Sequence, residues 1–124
     1  MKTNIQTSKA PKAIGPYSRA IMSDKFVFTS GQIHSIPDGK LLDGTIEEQA
    51  HQVMKNLEAV LEAAGASFAD VIKATMYVTD MSLYGQINEV YASYMTESFP
   101  AREAIEVKAL PKGAKIEISM VATV

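Results

Sequence analysis

Two side chains in the last quarter of the sequence could together handle a small carboxylate substrate. Arg102 follows a Pro-Ala pair and leads into a predicted strand over residues 104–110, so its guanidinium would stand at the mouth of that strand. A guanidinium can bind a carboxylate through two N–H groups, which contributes roughly 1.5 to 3 kcal/mol in a partly desolvated site. The residues alone leave open a solvated arginine that pairs with Glu103 or Glu106.

Glu117 is the second candidate, and it lies on the polar face of a predicted strand over residues 115–123. A carboxylate there could hold a water molecule and transfer a proton if a second surface shields it from solvent. The alternative is an exposed glutamate that pairs loosely with Lys115, an interaction worth about 0 to 1 kcal/mol. A carboxylate anchor and a proton-transfer group are therefore both available.

Four further residues could line a ligand site. Tyr17 follows a Gly-Pro turn, Ser30 and Gly31 end a strand where a ligand can approach the backbone, and Asn88 lies on a predicted helix. Each also has an ordinary structural explanation, as a surface tyrosine, a locally bonded hydroxyl, a tight turn or a solvated amide.

Metal and thiol chemistry have little support in the sequence. There is no cysteine, which excludes disulfides, thiolate nucleophiles and Cys-ligated metals. His34 and His51 have no companion at ligand spacing, so no metal site is expected. No serine lies in a nucleophile-elbow pattern, so a Ser-His-Asp hydrolase is not indicated.

Hydrophobic periodicity predicts the elements that would position these residues. Apolar residues spaced by three and four indicate a helix over residues 46–64, which Gly65 would end. A second helix would begin near Asp80 or Ser82. Asn88 lies off the apolar stripe of that helix, which comprises Leu83, Tyr84, Ile87, Val90, Tyr91 and Tyr94. Period-two alternation predicts strands over 26–30, 71–79, 104–110 and 115–123. A weaker alternation indicates two further strands over 3–7 and 17–21. This order predicts an α+β fold with two helices on one face of a mixed sheet.

The predicted sheet would have two unlike faces. In the last strand, the residues toward the helices are Ile116, Ile118, Met120 and Ala122, and those on the other face are Lys115, Glu117, Ser119 and Val121. In the strand over 71–79, alternation places Ile72 on the helix side, and Val71 and Tyr77 on the other. A helix-free face that mixes apolar and charged residues is typical of a subunit interface, so we expect a homo-oligomer.

Length and charge narrow the class of protein. The 124 residues are 47% hydrophobic, which is enough for one domain over residues 1–124. With 12 Lys and Arg against 14 Asp and Glu, the chain has no basic surplus for nucleic acid or an acidic membrane, so neither partner is expected. The first residues lack an apolar signal sequence and no stretch reaches about 20 apolar residues, so a cytoplasmic location is expected.

Five segments carry a specific resemblance. They are Ala13-Ile14-Gly15-Pro16-Tyr17-Ser18, Thr29-Ser30-Gly31-Gln32-Ile33, Asn56-Leu57-Glu58-Ala59-Val60-Leu61-Glu62-Ala63-Ala64-Gly65, Pro100-Ala101-Arg102 and Lys115-Ile116-Glu117-Ile118. In this order and spacing they resemble the Rid (YjgF-type) family of reactive-intermediate deaminases over nearly the whole chain.

The resemblance implies a chorismate-mutase-like fold and a homotrimer with ligand clefts between subunits. It also implies hydrolysis of 2-aminoacrylate and 2-aminocrotonate, through their imine tautomers, to 2-oxoacids and ammonia, without a metal or cofactor. Carried over to this sequence, Arg102 would bind the substrate carboxylate and Glu117 would position water and shuttle protons. The other residues that would line the cleft are Tyr17, Ser30, Gly31 and Asn88.

Four positions depart from the family pattern, namely His34, Glu103, Ala104 and Ser119. Glu103 stands where a serine is common, and it could weaken carboxylate binding if it points into the cleft. Strand alternation, however, predicts that Glu103 points away from Arg102. Ser119 replaces a frequent glutamate. The resemblance also implies an alternative function, a regulatory or chaperone-like module that binds small carboxylates or a protein partner without turnover.

Overall fold

The computed structural model describes residues 1–95 and 98–124, and six strands and two α-helices lie in this part of the chain. The strands are β1 (Lys2–Asn4), β2 (Ala20–Ser23), β3 (Phe26–Thr29), β4 (Val71–Val78), β5 (Ala101–Glu106) and β6 (Ile116–Thr123). The helices are α1 (Ile46–Ala63) and α2 (Tyr84–Tyr94). Short 3-10 turns occupy Phe68–Asp70, Met81–Leu83 and Pro111–Gly113.

The strands form a single mixed sheet in the order β1-β2-β3-β6-β4-β5. β4 and β5 are parallel, and all other neighbours are antiparallel. The side chains of β6 alternate as predicted, and its inner face is at most 2% exposed. That face packs against α1, which also contacts α2. The predicted α+β fold and mixed sheet are therefore confirmed.

Helix α1 has defined signals at both ends. Thr45 and Glu48 form a capping box, in which Thr45 Oγ1 accepts from the Glu48 amide at 3.2 Å and Glu48 Oε1 accepts from the Thr45 amide at 2.9 Å. Gly65 has a φ of 84°, the left-handed conformation that favours glycine after a helix. The helix predicted over residues 46–64 is confirmed to within one residue.

Strand β5 begins and ends earlier than the predicted range of 104–110. The parallel register with β4 runs from Lys73 opposite Ala101 to Val78 opposite Glu106. Because β4 ends at Val78, the chain after Glu106 loses its pairing partner within the sheet. Arg102 is consequently the second residue of a paired strand, and its predicted place at a strand mouth was wrong.

A register shift at the start of β4 reverses one prediction. The pairing with β6 is irregular between Val71 and Lys73, which is where a β-bulge is assigned. Val71 is therefore buried at 4% exposure, whereas Ile72 is 46% exposed. The prediction that Ile72 faces the helices was wrong, although alternation holds for the rest of the strand.

The two strands predicted from weaker alternation begin at other residues than predicted. β1 and β2 begin at Lys2 and Ala20, rather than at residues 3 and 17. Asp80 caps the 3-10 turn that precedes α2, since its Oδ1 accepts from the Ser82 amide at 2.9 Å.

None of the described helices is both long and apolar enough to cross a membrane.

Candidate active site

Arg102 lies against the helical face of the sheet. Its register partner on β4 is Ala74, which is fully buried under the helices. Arg102 Nη1 donates to Asn88 Oδ1 at 2.5 Å, and Nη2 donates to the Tyr84 hydroxyl. The guanidinium carbon also lies 5.5 Å from the Tyr84 ring centroid and 4.9 Å from that of Tyr91. Helix α2 thus holds the guanidinium plane through three side chains.

The partners of Arg102 leave its charge available. The amide of Asn88 is neutral, and burial raises the pKa of Tyr91, which keeps this phenol neutral. Among residues 1–95 and 98–124, no carboxylate oxygen lies within 4.0 Å of the guanidinium. Two of its five N–H groups are used by the protein, and a ligand carboxylate can accept from the others.

Glu103 does not compete for the anchor. Its Oε1 accepts from Lys73 Nζ at 2.6 Å, on the opposite face of the sheet from Arg102. Both side chains are partly exposed, so the pair is screened by solvent. The prediction that Glu103 points away from Arg102 is confirmed.

The Arg102 side chain opens onto a cavity of about 380 Å³. This anchor cavity is lined by Asn88, Tyr91, Ala92, Phe99, Pro100 and Arg102. Phe99 is 69% exposed, so the cavity combines one fixed cation with an open apolar rim. Such a site suits a small carboxylate with a short aliphatic side chain.

Sequence reasoning missed the role of α2 in holding the anchor. The sequence pattern places Tyr84 and Tyr91 only in an apolar stripe, with Asn88 off it and a solvated amide as its ordinary explanation. That explanation is wrong, because Asn88 is half-buried and bonded to Arg102. The spacing of 84, 88 and 91 is i, i+4, i+7, which puts all three on one helix face and could have indicated a polar cradle.

A Tyr84→Phe substitution tests this cradle. It removes the hydroxyl that accepts from Arg102 and keeps the ring, so the affinity for a small carboxylate should fall by about 5-fold, the equivalent of one ordinary hydrogen bond. The matched control is Tyr94→Phe on the same helix, since the Tyr94 hydroxyl contacts His51 Nδ1 at 2.8 Å instead. Equal losses in the two variants would count against a specific role for Tyr84.

Glu117 points to the other face of the sheet and lines a second cavity of about 470 Å³. Its register partner is Tyr77, three residues along β4 from Ala74, so the two strands present Arg102 and Glu117 on opposite faces. The Glu117 side chain is half-buried, and this burial raises the pKa of its carboxyl above the ordinary value of 4.5. A raised pKa suits a group that exchanges protons near neutral pH.

Gly31 is required by the position of the Glu117 carboxylate. Residue 32 pairs with residue 118 through two backbone hydrogen bonds of 2.9 and 3.1 Å, which holds this segment against β6, and the Glu117 side chain lies over residue 31. A Cβ built at residue 31 would lie 2.4 Å from Glu117 Oε2 and 2.8 Å from its Cγ. Glycine therefore allows the carboxylate to pack directly on the backbone.

Ser30 and Tyr17 complete the wall around Glu117. Ser30 Oγ donates to the Ser18 carbonyl at 2.5 Å, which fixes the hydroxyl at the cavity edge. Tyr17 is 53% exposed and reaches the same cavity from the segment between β1 and β2. The Glu117 cavity is lined by Pro11, Lys12, Ile14, Tyr17, Arg19, Ser30, Gly31, Gln32, Ile33, Ser35, Gly39, Pro111, Lys112 and Glu117.

The predicted site residues thus form two groups within one chain. Tyr17, Ser30, Gly31 and Glu117 share one cavity, whereas Arg102 and Asn88 share the other. Within the described residues, no three His, Asp or Glu side chains come together as metal ligands would. The arrangement places a guanidinium with unused N–H groups and a half-buried carboxylate on opposite sides of the sheet.

Comparison with known proteins shows the family of this chain. Residues 7–124 match the family model described as Endoribonuclease L-PSP, which is the YjgF/Rid family. The chain belongs to this family. A RutC family protein of Pyrococcus horikoshii is 51% identical over 123 residues, with 98% of each chain covered. The human protein named 2-iminobutanoate/2-iminopropanoate deaminase is 46% identical over 119 residues, which cover 95% of this chain and 87% of the human one.

Solved structures of Rid proteins are similar along the whole chain. The Rid family protein YyfA of Yersinia pestis has a TM-score of 0.96 at 45% identity, with 100% of both chains covered. The TdcF protein of E. coli, solved with bound serine, has a TM-score of 0.92 at 38% identity, with 98% of both chains covered. The resemblance drawn from the five sequence segments is confirmed.

Proposed function

We propose that this Rid protein is a hydrolase that converts 2-imino acids, formed from 2-aminoacrylate and 2-aminocrotonate, to 2-oxoacids and ammonia. The observation that carries the proposal is the Arg102 guanidinium, held rigidly by neutral partners with N–H groups left for a carboxylate. The half-buried Glu117 supplies the proton-transfer group that a binding site alone would not need. The names of the relatives at 44 to 46% identity support the same reaction.

The proposed chemistry needs few groups. An enamine first tautomerises to its imine, whose carbon is electrophilic. Glu117 accepts a proton from water as the water oxygen bonds to that carbon. Glu117 gives that proton to the nitrogen, which forms the carbinolamine. It then moves the hydroxyl proton to the amine as the C–N bond breaks, so that ammonia leaves and the 2-oxoacid remains. Arg102 holds the substrate carboxylate throughout, so orientation and one proton carrier suffice without a metal or cofactor.

We further propose that each site forms between two copies of the chain. Arg102 and Asn88 of one copy would meet Tyr17, Ser30, Gly31 and Glu117 of another. The support is geometric, because the two groups lie on opposite faces of one sheet and one small substrate cannot contact both in the same chain. A homotrimer of 1–124 domains with a chorismate-mutase-like fold accommodates three such sites. The cytoplasmic location expected from the sequence stays a prediction.

The proposed activity is tested by generating 2-aminoacrylate or 2-aminocrotonate in situ with a pyridoxal-phosphate dehydratase acting on serine or threonine. The purified protein should accelerate loss of the intermediate and release of ammonia above the spontaneous rate. A rate equal to the spontaneous one, at protein concentrations that bind a 2-oxoacid, would overturn the proposal and favour a binding module.

That binding module is the second candidate, favoured by one observation. The E. coli TdcF structure contains serine, an amino acid with a carboxylate and no imine. Arg102 would serve binding and turnover equally, so only Glu117 separates the two functions. Ribonuclease activity, suggested by the description of the family model, fits poorly with a formal net charge of −2, since RNA binding requires a cationic surface.

The pH dependence follows from the raised pKa of Glu117. If the carboxylate form accepts the proton from water, kcat/KM should fall as pH drops through the Glu117 pKa. Because burial raises that pKa above 4.5, the loss should begin at a higher pH than for a solvated glutamate. The measurement is a pH profile of kcat/KM for the wild type and Glu117→Gln. The same acid limb in both proteins would assign it to another group.

A further inference from the structure

The segment between β1 and β2 forms one wall of the Glu117 cavity without any helix or strand. Residues 5–19 have no regular secondary structure, yet they contribute several lining side chains. These are Pro11, Lys12, Ile14 and Tyr17. A segment of this length with few backbone hydrogen bonds is expected to be mobile unless side chains fix it. Side-chain contacts must therefore hold this wall segment in place.

Ile5 and Ala10 bury their side chains in the core, and the polar groups of the wall segment are held by Arg19. Its Nη1 donates to the carbonyl of Thr7, to that of Ala10 at 3.0 Å and to that of Pro11 at 3.4 Å. Its Nη2 donates to Gln6 Oε1 at 3.3 Å. All four acceptors lie within residues 6–11, so one guanidinium replaces the missing backbone pairing of that segment.

Arg19 is also connected to the catalytic side of the sheet. It is only 7% exposed and lines the same cavity as Glu117. The backbone carbonyl of Arg19 accepts from the Ser30 amide at 2.7 Å, which ties Arg19 to the strand end that carries Ser30 and Gly31. No carboxylate in residues 1–95 or 98–124 lies within 4.0 Å of its guanidinium. Burying a cation without an anionic partner costs free energy of folding. A neutral side chain could hold the same carbonyl groups at a lower cost, so the charge itself calls for an explanation.

We propose that Arg19 is a positioning residue for the Glu117 cavity, which fixes residues 6–11 and so places Pro11 and the adjoining Lys12 in the wall that faces the substrate. It contacts neither Arg102 nor the proposed reacting atoms, and it acts through the segment it holds. This inference rests on the proposed imine hydrolysis for its kinetic consequence, although its effect on the segment does not.

The test compares Arg19→Gln and Arg19→Lys with Thr45→Ala. The alanine variant removes the α1 capping box and lowers stability with no change among the residues that line the Glu117 cavity. At a temperature well below all the melting points, Arg19→Gln should lower kcat/KM by about 10-fold, chiefly through KM. Arg19→Lys, which keeps the charge and loses the planar fork, should recover only part of that loss, and Thr45→Ala should lose less than about 2-fold. Unchanged kinetics in Arg19→Gln, or an equal loss in Thr45→Ala, would overturn the proposal.

Hydrogen exchange tests the effect of Arg19 on the wall segment independently of the proposed imine hydrolysis. Amides in residues 6–17 should exchange faster in Arg19→Lys than in the wild type, while those of α1 should not change. If Arg19→Gln does not fold, Gln6→Ala removes one acceptor and should give a smaller increase in the same amides. Unchanged exchange in these residues would overturn the positioning role, whether or not the wild type hydrolyses imines. Absence of wild-type turnover with faster exchange in the variants would overturn only the proposed reaction.

Discussion

An Arg102→Ala variant is expected to lose nearly all imine hydrolysis, with kcat/KM lower by about 100-fold or more. The guanidinium is the only group in the anchor cavity that carries a positive charge, among the residues described there. The two hydrogen bonds to the carboxylate contribute roughly 1.5 to 3 kcal/mol together, a factor of about 10 to 150, and the loss of orientation at the imine carbon lowers the rate further. The loss should appear in KM and kcat alike, because the carboxylate also orients the imine carbon.

The control for this variant is Arg102→Lys. The ammonium keeps the charge but cannot donate to Asn88 and Tyr84 while presenting a planar fork to the ligand. Its activity should therefore lie between those of the wild type and the alanine variant. Thermal melting must accompany the kinetics, since Arg102 packs between two tyrosine rings and its removal also costs packing. Activity of the alanine variant within a few-fold of wild type would remove Arg102 from substrate binding.

A Glu117→Gln variant should bind a 2-oxoacid about as well as the wild type but turn over imines about 100-fold more slowly. The amide keeps the shape that packs on Gly31 and cannot accept a proton from water. General acid-base groups typically contribute between about 100-fold and 10,000-fold. The measurements are kcat for the imine and the affinity for 2-oxobutanoate, a product-like ligand.

Stability provides an internal check on the Glu117 result. Burial raises the pKa of this carboxyl, so at neutral pH the folded protein holds an ionised group that its surroundings disfavour. Replacement by a neutral amide removes that penalty, and the free energy of unfolding at pH 7 should be unchanged or larger. A stable Glu117→Gln variant with full turnover would exclude Glu117 from the mechanism and leave the binding module as the better function.

Much of the fold was predictable because hydrophobic periodicity reports local burial. α1 has a capping box, an apolar stripe and a terminal glycine, and β6 alternates without interruption, so both were predicted nearly to the residue. The errors concern features set by neighbouring strands. The extent of β5 depends on where β4 ends, and the exposure of Ile72 depends on a register shift against β6. Neither the end of β4 nor the register shift against β6 can be inferred from the residues of the affected strand alone.

The candidate site was predictable in its members and not in its arrangement. Arg102 and Glu117 were identified from residue type and from the resemblance to Rid proteins. That they lie on opposite faces follows from the register of three strands, which no single segment encodes. Helical spacing places Tyr84 and Asn88 on one face of α2, but that this face meets Arg102 depends on how α2 crosses β5.

The most direct test of the account is complementation between inactive variants. Arg102→Ala and Glu117→Gln chains are unfolded together, refolded as a mixture and assayed for imine hydrolysis. If each site takes Arg102 from one chain and Glu117 from another, random assembly in equal amounts leaves about a quarter of the sites with both groups intact. We predict recovery of about a quarter of wild-type activity, with each variant inactive when it is refolded alone. Activity no higher than that of the separate variants, in mixed oligomers shown to have formed, would contradict a site shared between two chains.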